Sequence, residues 1–227
     1  MKAGNATYSE PADFPAVVPI FPLSGALLLP GGQMPLNIFE PRYLAMVDDA
    51  IGSDRLIGMV QPRTAIGMET PVSGLHGPAL CDVGCVGRIT AFQESGDGRY
   101  AINLTGVARY RIVAEENGAR GYRRCRIAVM GEDLAAGDED ASVDRDSLLQ
   151  TFRKYLKANN MDADWESINR ATNCTLVTAL CMMSPYGPAE KQALLEARDM
   201  RTRAETLVAI TEILLARESG DPGSRIQ

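Results

Sequence analysis

The feature that most constrains this chain is a change of period. Between residues 82 and 130 apolar side chains recur at every second position, and from residue 145 onward they recur at helical spacing. The 14 residues between them are rich in Gly, Ala, Asp and Glu and hold no aromatic side chain, so they read as a linker or solvated loop. An alternating block followed by a helical block predicts an α+β chain, β-rich first and an α-helical bundle after it.

The β-rich part opens before residue 82. Residues 1–15 are polar, with Glu10, Asp13 and two prolines, and read as a flexible arm. Residues 17–23 predict a strand that Pro19 and Pro22 restrict to an edge or a strand end. Residues 26–29 predict a second short strand, stopped by Pro30-Gly31-Gly32. Met34, Leu36 and Ile38 alternate with polar or proline positions, which gives residues 33–39 one buried face. Pro41 follows Glu40 at a first-turn position, and Tyr43, Leu44, Met46, Val47 and Ile51 form a short helical stripe. Residues 56–60 are apolar throughout, as a central strand is. Residues 62–78, with His76, read as a loop. Ser95-Gly96-Asp97-Gly98 marks a hairpin, Gly106 a break, and Asn117-Gly118 a second turn. Many short strands at this spacing suit a barrel or a sandwich.

In the helical part, Leu148, Leu149, Phe152, Tyr155 and Leu156 share a face. Asp162 or Asp164 can cap a short helix through Trp165 and Ile168. Residues 174–183 form a third helix, Pro188 starts a fourth, and Asp199 can cap the last. The expected organisation is therefore an arm at 1–15, a β domain at 16–131, an acidic linker at 132–144, a helical bundle at 145–217 and a disordered tail at 218–227.

Composition excludes several classes. The chain has 227 residues and a net charge of −6, which disfavours general nucleic-acid affinity. No apolar run approaches the roughly 18 residues of a membrane span, and the N-terminus has no signal-peptide h-region, so a cytoplasmic protein is expected. Five cysteines in no dense framework suit a reducing compartment. Cys81 and Cys85, extended, would place their sulfurs roughly 13 Å apart, too far to share a zinc. Buried, inert thiols are expected, and neither a metal nor a cofactor.

Catalytic patterns are equally sparse. The sequence contains no G-x-x-x-x-G-K-[ST] and no G-x-G-x-x-G. His76 is the sole histidine, with no G-x-S-x-G serine to serve. Of four lysines, Lys154, Lys157 and Lys191 fall on charged helical faces, where a solvated side chain is the ordinary reading. The carboxylates of 132–140 read as solvated charge. One local exception to the acidic balance is an arginine cluster, 99, 109, 111, 120, 123, 124 and 126. Alternation puts Arg109 with Arg111, and Arg124 with Arg126, on single sheet faces. That is a candidate RNA patch, although charged strand faces also serve to keep sheets soluble.

Pro19-Ile-Phe-Pro-Leu23, Leu29-Pro30-Gly31 and Pro35-Leu-Asn-Ile-Phe-Glu-Pro-Arg-Tyr43 together resemble the N-terminal substrate-binding domain of Lon proteases. Asp82-Val-Gly-Cys-Val-Gly-Arg-Ile89, the run at 106–112 and Lys191-Gln-Ala-Leu-Leu-Glu196 fall where that family has similar runs, so the similarity spans about residues 16–217. The resemblance implies a PUA-like β-barrel with a short helix, followed by a helical bundle, and a role in engaging protein substrates. With neither P-loop nor Ser–Lys dyad found, the expectation is a stand-alone, non-enzymatic module. Its expected partners are protein or peptide clients, and a Lon-type protease acting in trans. Candidate peptide contacts are Leu28, Leu29, Pro30, Met34, Pro35 and Tyr43 at the barrel rim. Phe39, Glu40, Pro41, Arg42 and Tyr43 are expected to lock the barrel to its first helix, with Phe39 in the core. RNA binding through Arg109, Arg111, Arg124 and Arg126 is the alternative.

Overall fold

The structure is a computed structural model that describes residues 1–63, 67, 77–116, 120–135 and 142–220, apart from the side chains of 218–220. His76, the Asn117-Gly118 turn, residues 136–141 of the acidic stretch and residues 221–227 lie outside the described residues.

The fold is α+β. Strands β1 (Lys2–Ala3) and β2 (Ala6–Thr7) form a small hairpin. Six further strands make one sheet: β3 (Val17–Pro22), β4 (Gln33–Ile38), β5 (Leu56–Val60), β6 (Val83–Glu94), β7 (Tyr100–Glu116) and β8 (Arg123–Val129). Their order is β4-β7-β6-β5-β3-β8, and a second pairing of β7 with β8 closes the sheet into a barrel. Only β3 and β5 run parallel. Closure removes free edges on the β8 side.

β7 makes closure possible because it serves twice. Its first half pairs with β4 and its second half with β8. The break expected at Gly106 does not occur; Gly106 pairs with Gly87 and Ala108 with Val86, so Val107 is an extra residue that bends a continuous strand. Glycine is required there for a different reason. A Cβ on Gly106 would lie 2.1 Å from the Leu29 carbonyl oxygen. The strand expected at 26–29 is accordingly irregular backbone. It is pinned by Gly31 N–H to the Gly106 carbonyl at 2.9 Å and Gly106 N–H to the Gly32 carbonyl at 2.8 Å, while Leu27, Leu28 and Leu29 fill the core.

The apolar runs at 33–38 and 56–60 behave as their patterns predict. Of β4 only Ile38 is fully buried, with Met34 and Leu36 half-buried, whereas every residue of β5 is buried. Pro19 is tolerated because at that level β3 has β8 as its sole partner; pairing with β5 begins at Ile20. Inside the barrel Val18, Ile20, Val86, Tyr110 and Cys125 pack together. Tyr110 fits because Gly58 and Gly84 leave room: a Cβ at either would lie within 2.8 Å of its hydroxyl.

The N-terminal segment is not a loose arm. Ala3, Tyr8 and Phe14 are buried against this core, Tyr8 stacks on Phe14 at 4.9 Å, and the Met1 ammonium donates to the Tyr8 carbonyl at 2.8 Å. Apolar anchors at three positions in an otherwise polar stretch were too few to show a period.

Helix α1 (Pro41–Ile51) leaves the barrel after β4, with Pro41 at its first position and Tyr43, Met46, Val47 and Ala50 buried. The bundle comprises α2 (Arg145–Ala158), α3 (Trp165–Arg170), α4 (Asn173–Met183), α5 (Pro188–Glu196) and α6 (Met200–Gly220). Asp144, Asp164 and Thr172 accept from backbone N–H groups at the starts of α2, α3 and α4. Asp199 accepts from Thr202 N–H at 2.7 Å. A single hydrophobic cluster runs from the barrel (Leu28, Ile38, Ile89) through α1 (Met46) into the bundle (Val177, Leu194), so the two parts share a core.

Candidate functional site

The seam between barrel and bundle is polar as well as apolar. Gln61 accepts from Gly25 N–H at 3.0 Å and donates to the Pro188 carbonyl at 2.8 Å and to Gln192 at 3.2 Å. Gln192 in turn donates to the Val83 carbonyl. Lys191 donates to the Gly25 carbonyl at 2.9 Å, and burial pulls its ammonium below the usual lysine range. It is therefore a structural anchor rather than the solvated lysine expected; Lys154 and Lys157 are exposed. The 191–196 motif thus docks α5 onto the barrel.

One groove opens along this seam. The turn at 30–33 forms one wall, and α4 forms the other with Cys174, Thr178, Met182 and Met183; Met1, Asp133 and Arg203 close it. Its volume is about 460 Å³. Met183 is 83% exposed, the most exposed large apolar side chain among the described residues. Met182 seats against Gly32, where a Cβ would come within 2.2 Å of its sulfur. Unbranched thioethers adapt to irregular apolar partners, which suits such a wall to chemically varied segments.

Of the six rim candidates only Pro30 lines this groove. Leu28 and Leu29 are buried in the core, so the rim placement is wrong for them; the hydrogen bonds of Gly31 and Gly32 to Gly106 hold the turn that follows them against β7. Met34 is half-buried against the shared core, Pro35 is exposed on β4, and Tyr43 is buried on another side. The sequence reading placed a helix at 174–183 but did not name α4 as part of the site. The signal was there as two consecutive methionines at the end of a helical segment, just before Ser184-Pro185.

The run from Phe39 to Tyr43 also departs from expectation. Phe39 is 63% exposed and not in the core, because β4 ends at Ile38 and the chain turns into α1. Glu40 precedes the helix and its carbonyl accepts from Tyr43 and Leu44 N–H, but its carboxylate pairs with Arg42 at 2.7 Å. The Arg42 guanidinium lies 4.5 Å over the Tyr43 ring, which packs on Phe21 at 4.3 Å. Arg42 is held by its bonds to Glu40 and by its place over the Tyr43 ring, and Tyr43 packs on Phe21. A small pocket of about 180 Å³ lies beside them, walled by Pro22, Pro62, Pro78, Tyr122 and Arg123.

The arginine cluster is not an open patch. Arg109 has a side chain only 3% exposed; it pairs with Asp133 at 2.7 Å and donates to the carbonyls of Leu195, Ala197 and Arg198. It shares an outward sheet face with Arg111, as alternation predicts, but the bundle covers that face at 109 and leaves Arg111 exposed. Arg123 is buried and held by Glu115 at 2.7 Å. Arg126 pairs with Glu116, Arg120 with Asp49 and Arg99 with Asp97. Arg124 is exposed. Asp133 and Asp49, outside the run, neutralise Arg109 and Arg120, while Glu115 and Glu116 within it pair with Arg123 and Arg126.

The thiols lie mostly in apolar surroundings. Cys81, Cys85, Cys125 and Cys181 are buried, and Cys174 is half-buried in the groove wall. Burial pushes Cys81 and Cys125 up to about 11, Cys181 up to about 12, and Cys85 well above the usual thiol range. Among the described residues no three His, Cys, Asp or Glu side chains form a metal-binding group, and no helix is long and apolar enough to cross a membrane.

Comparison with known proteins places this arrangement. Residues 17–212 match the family model of the ATP-dependent protease La (LON) substrate-binding domain. Lon protease 2 of Myxococcus xanthus is 25% identical over 201 residues, covering 87% of this chain and 24% of that protein. The chain thus spans about a quarter of the length of the curated relatives it matches. Two solved structures share the fold. The Lon N-terminal domain protein from Xanthomonas campestris has a TM-score of 0.58 and 22% identity, covering 85% of this chain and 97% of that one. The N-terminal domain of a Mycobacterium avium complex Lon protease has a TM-score of 0.61 and 21% identity, covering 86% and 98%. The chain belongs to the LON substrate-binding domain family.

Proposed function

We propose that this chain is a non-catalytic module that binds exposed apolar segments of protein clients, and that the groove between the 30–33 turn and α4 receives them. The observation that carries the reading is Met183, a large apolar side chain left in solvent at the mouth of a groove whose walls include Met1 and Met182. An exposed apolar side chain beside an apolar-walled groove extends the surface that a partner can cover. The family description, a substrate-binding domain of an ATP-dependent protease, supports the same reading. A Lon-type protease acting in trans is the partner to which bound clients would pass. The RNA alternative loses its footing with Arg109 and Arg123 buried and Arg126 paired.

The test is photo-crosslinking of an unfolded, reduced model protein to the purified chain, followed by peptide mapping. Adducts on α4 and the 30–33 turn support the proposal; adducts scattered over the surface, or none at about tens of micromolar client, contradict it.

A further inference from the structure

Strand β4 has a neighbour on one side only. It stands at the end of the sheet order and pairs with β7, and among the described residues no strand pairs with its other side. Gly106 N–H donates to the Gly32 carbonyl, and bonding alternates along an antiparallel pair, so the main-chain groups of Met34, Leu36 and Ile38 face β7. Those of Gln33, Pro35 and Asn37 therefore face away from the sheet, and all three residues are exposed. Gln33 and Asn37 each present an N–H and a carbonyl on that side, and Pro35 a carbonyl alone. The proline fits this alternation, because facing β7 it would delete a ladder bond.

The free edge carries an exposed apolar side chain at each end. At its start, Gln33 lines the same groove as Met183, which is 83% exposed. At its finish, Phe39 follows Ile38 and is 63% exposed. These are the two most exposed large apolar side chains among the described residues. The six residues of β4 separate them by roughly 20 Å.

Outward donors and acceptors at every second residue match an extended main chain, whatever its side chains. A second copy of β4 is a poorer occupant. Each copy would turn a proline toward the other, so two donors would be missing where another segment meets only one gap.

We infer that a client binds as an extended strand added to the outer edge of β4, with one apolar side chain in the methionine groove and another, about six residues on, against Phe39. The inference rests on the proposed role in client binding and names the form in which the client is held. Main-chain hydrogen bonds to Gln33, Pro35 and Asn37 supply affinity without sequence preference, and the two apolar ends select the segment.

The experiment is NMR-detected amide hydrogen exchange on the full chain, free and with a peptide of about seven residues, leucine at both ends and serine and threonine between. The peptide should slow exchange at Gln33 and Asn37 by about ten-fold or more, and leave Met34 and Leu36, already bonded to β7, unchanged. Asn37→Pro deletes one outward donor and should weaken the peptide by about five-fold at unchanged melting temperature. Should that variant unfold, the exchange pattern decides alone. The inference is overturned if exchange at Gln33 and Asn37 does not respond, or if folded Asn37→Pro binds as tightly as wild type. It is also overturned if a dimer of the free chain already protects these amides, which would give the edge to a second copy. A parallel titration with unfolded protein separates the two ideas. If unfolded protein binds in a Met183-dependent way while Gln33 and Asn37 keep exchanging freely, only strand addition fails. If unfolded protein does not bind at all, the client-binding reading fails, and this inference with it.

Discussion

Arg109 and Asp133 form a buried, bidentate ion pair at the seam where barrel meets bundle, with contacts of 2.7 to 3.1 Å and side chains 3% and 9% exposed. The remaining guanidinium donors reach carbonyls at the end of α5, and Arg203 donates to Leu194 and Ala197 beside them. Two cations at a helix C-terminus are favourably placed against its dipole. Asp133 and Arg203 also close the methionine groove, so the joint that fixes the two parts also shapes the proposed site.

Breaking that pair leaves an uncompensated buried charge. Asp133→Ala and Arg109→Ala should each cost roughly 3–5 kcal/mol, measured as a fall in unfolding free energy in urea. The double variant should cost less than the sum of the two, because the second substitution removes the orphaned partner. Strict additivity would mean that the two groups do not act as a pair.

Two glycines separate backbone from side-chain constraint. Gly106→Ala drives a Cβ against the Leu29 carbonyl, which has nowhere to go, and should cost about 1–3 kcal/mol or more. Gly32→Ala meets chiefly the flexible end of Met182, at 2.2 Å, with the Leu29 carbonyl oxygen farther off at 3.1 Å. It should leave thermal stability much closer to wild type while altering client affinity, since Met182 must swing within the groove.

Thiol reactivity should be site-selective. In native buffer near pH 8, alkylation read by mass spectrometry should label Cys174 first. Cys81, Cys85, Cys125 and Cys181 should react only on unfolding, since burial both hides them and raises their pKa. Early labelling of Cys85 or Cys181 would contradict the shared core.

Much of the fold was legible because its patterns are local. Alternation over 83–94, the Gly96-Asp97-Gly98 turn, Pro41 and Pro188 at helix starts and Asp199 at a cap all act within a few residues. What was not legible depends on distant partners. Gly106 reads as a strand break until Leu29 is known to press on it, and 26–29 reads as a strand until Gly31 and Gly32 are seen to tie the following turn to Gly106 of β7. Arg109 reads as surface charge until Asp133 and the end of α5 close over it. The proposed site fared worst for the same reason. Pro30 and Met183 are far apart in sequence, and only the packing of α4 on the barrel makes them two walls of one groove.

Acid should act in part through the start of α6. Hydrogen bonds from Thr202 hold the Asp199 carboxyl below its ordinary value. A folded-state pKa below the unfolded one contributes stability that is fully present above about pH 4 and is lost as pH falls through the lower, folded value. Asp199→Asn keeps a cap acceptor but does not titrate. Its stability should therefore fall less steeply than wild type below about pH 4 in acid-titrated thermal melts.

The central claim is that Met183 and its neighbours cover clients, and one substitution tests it without disturbing the fold. Met183→Lys puts a charge at the groove mouth on an exposed residue at a helix C-terminus, where a cation is tolerated. Fluorescence anisotropy of a labelled, unfolded model protein should show binding to the wild-type chain and about ten-fold or greater weakening in Met183→Lys, at unchanged melting temperature. Equal affinity in both proteins would contradict the account.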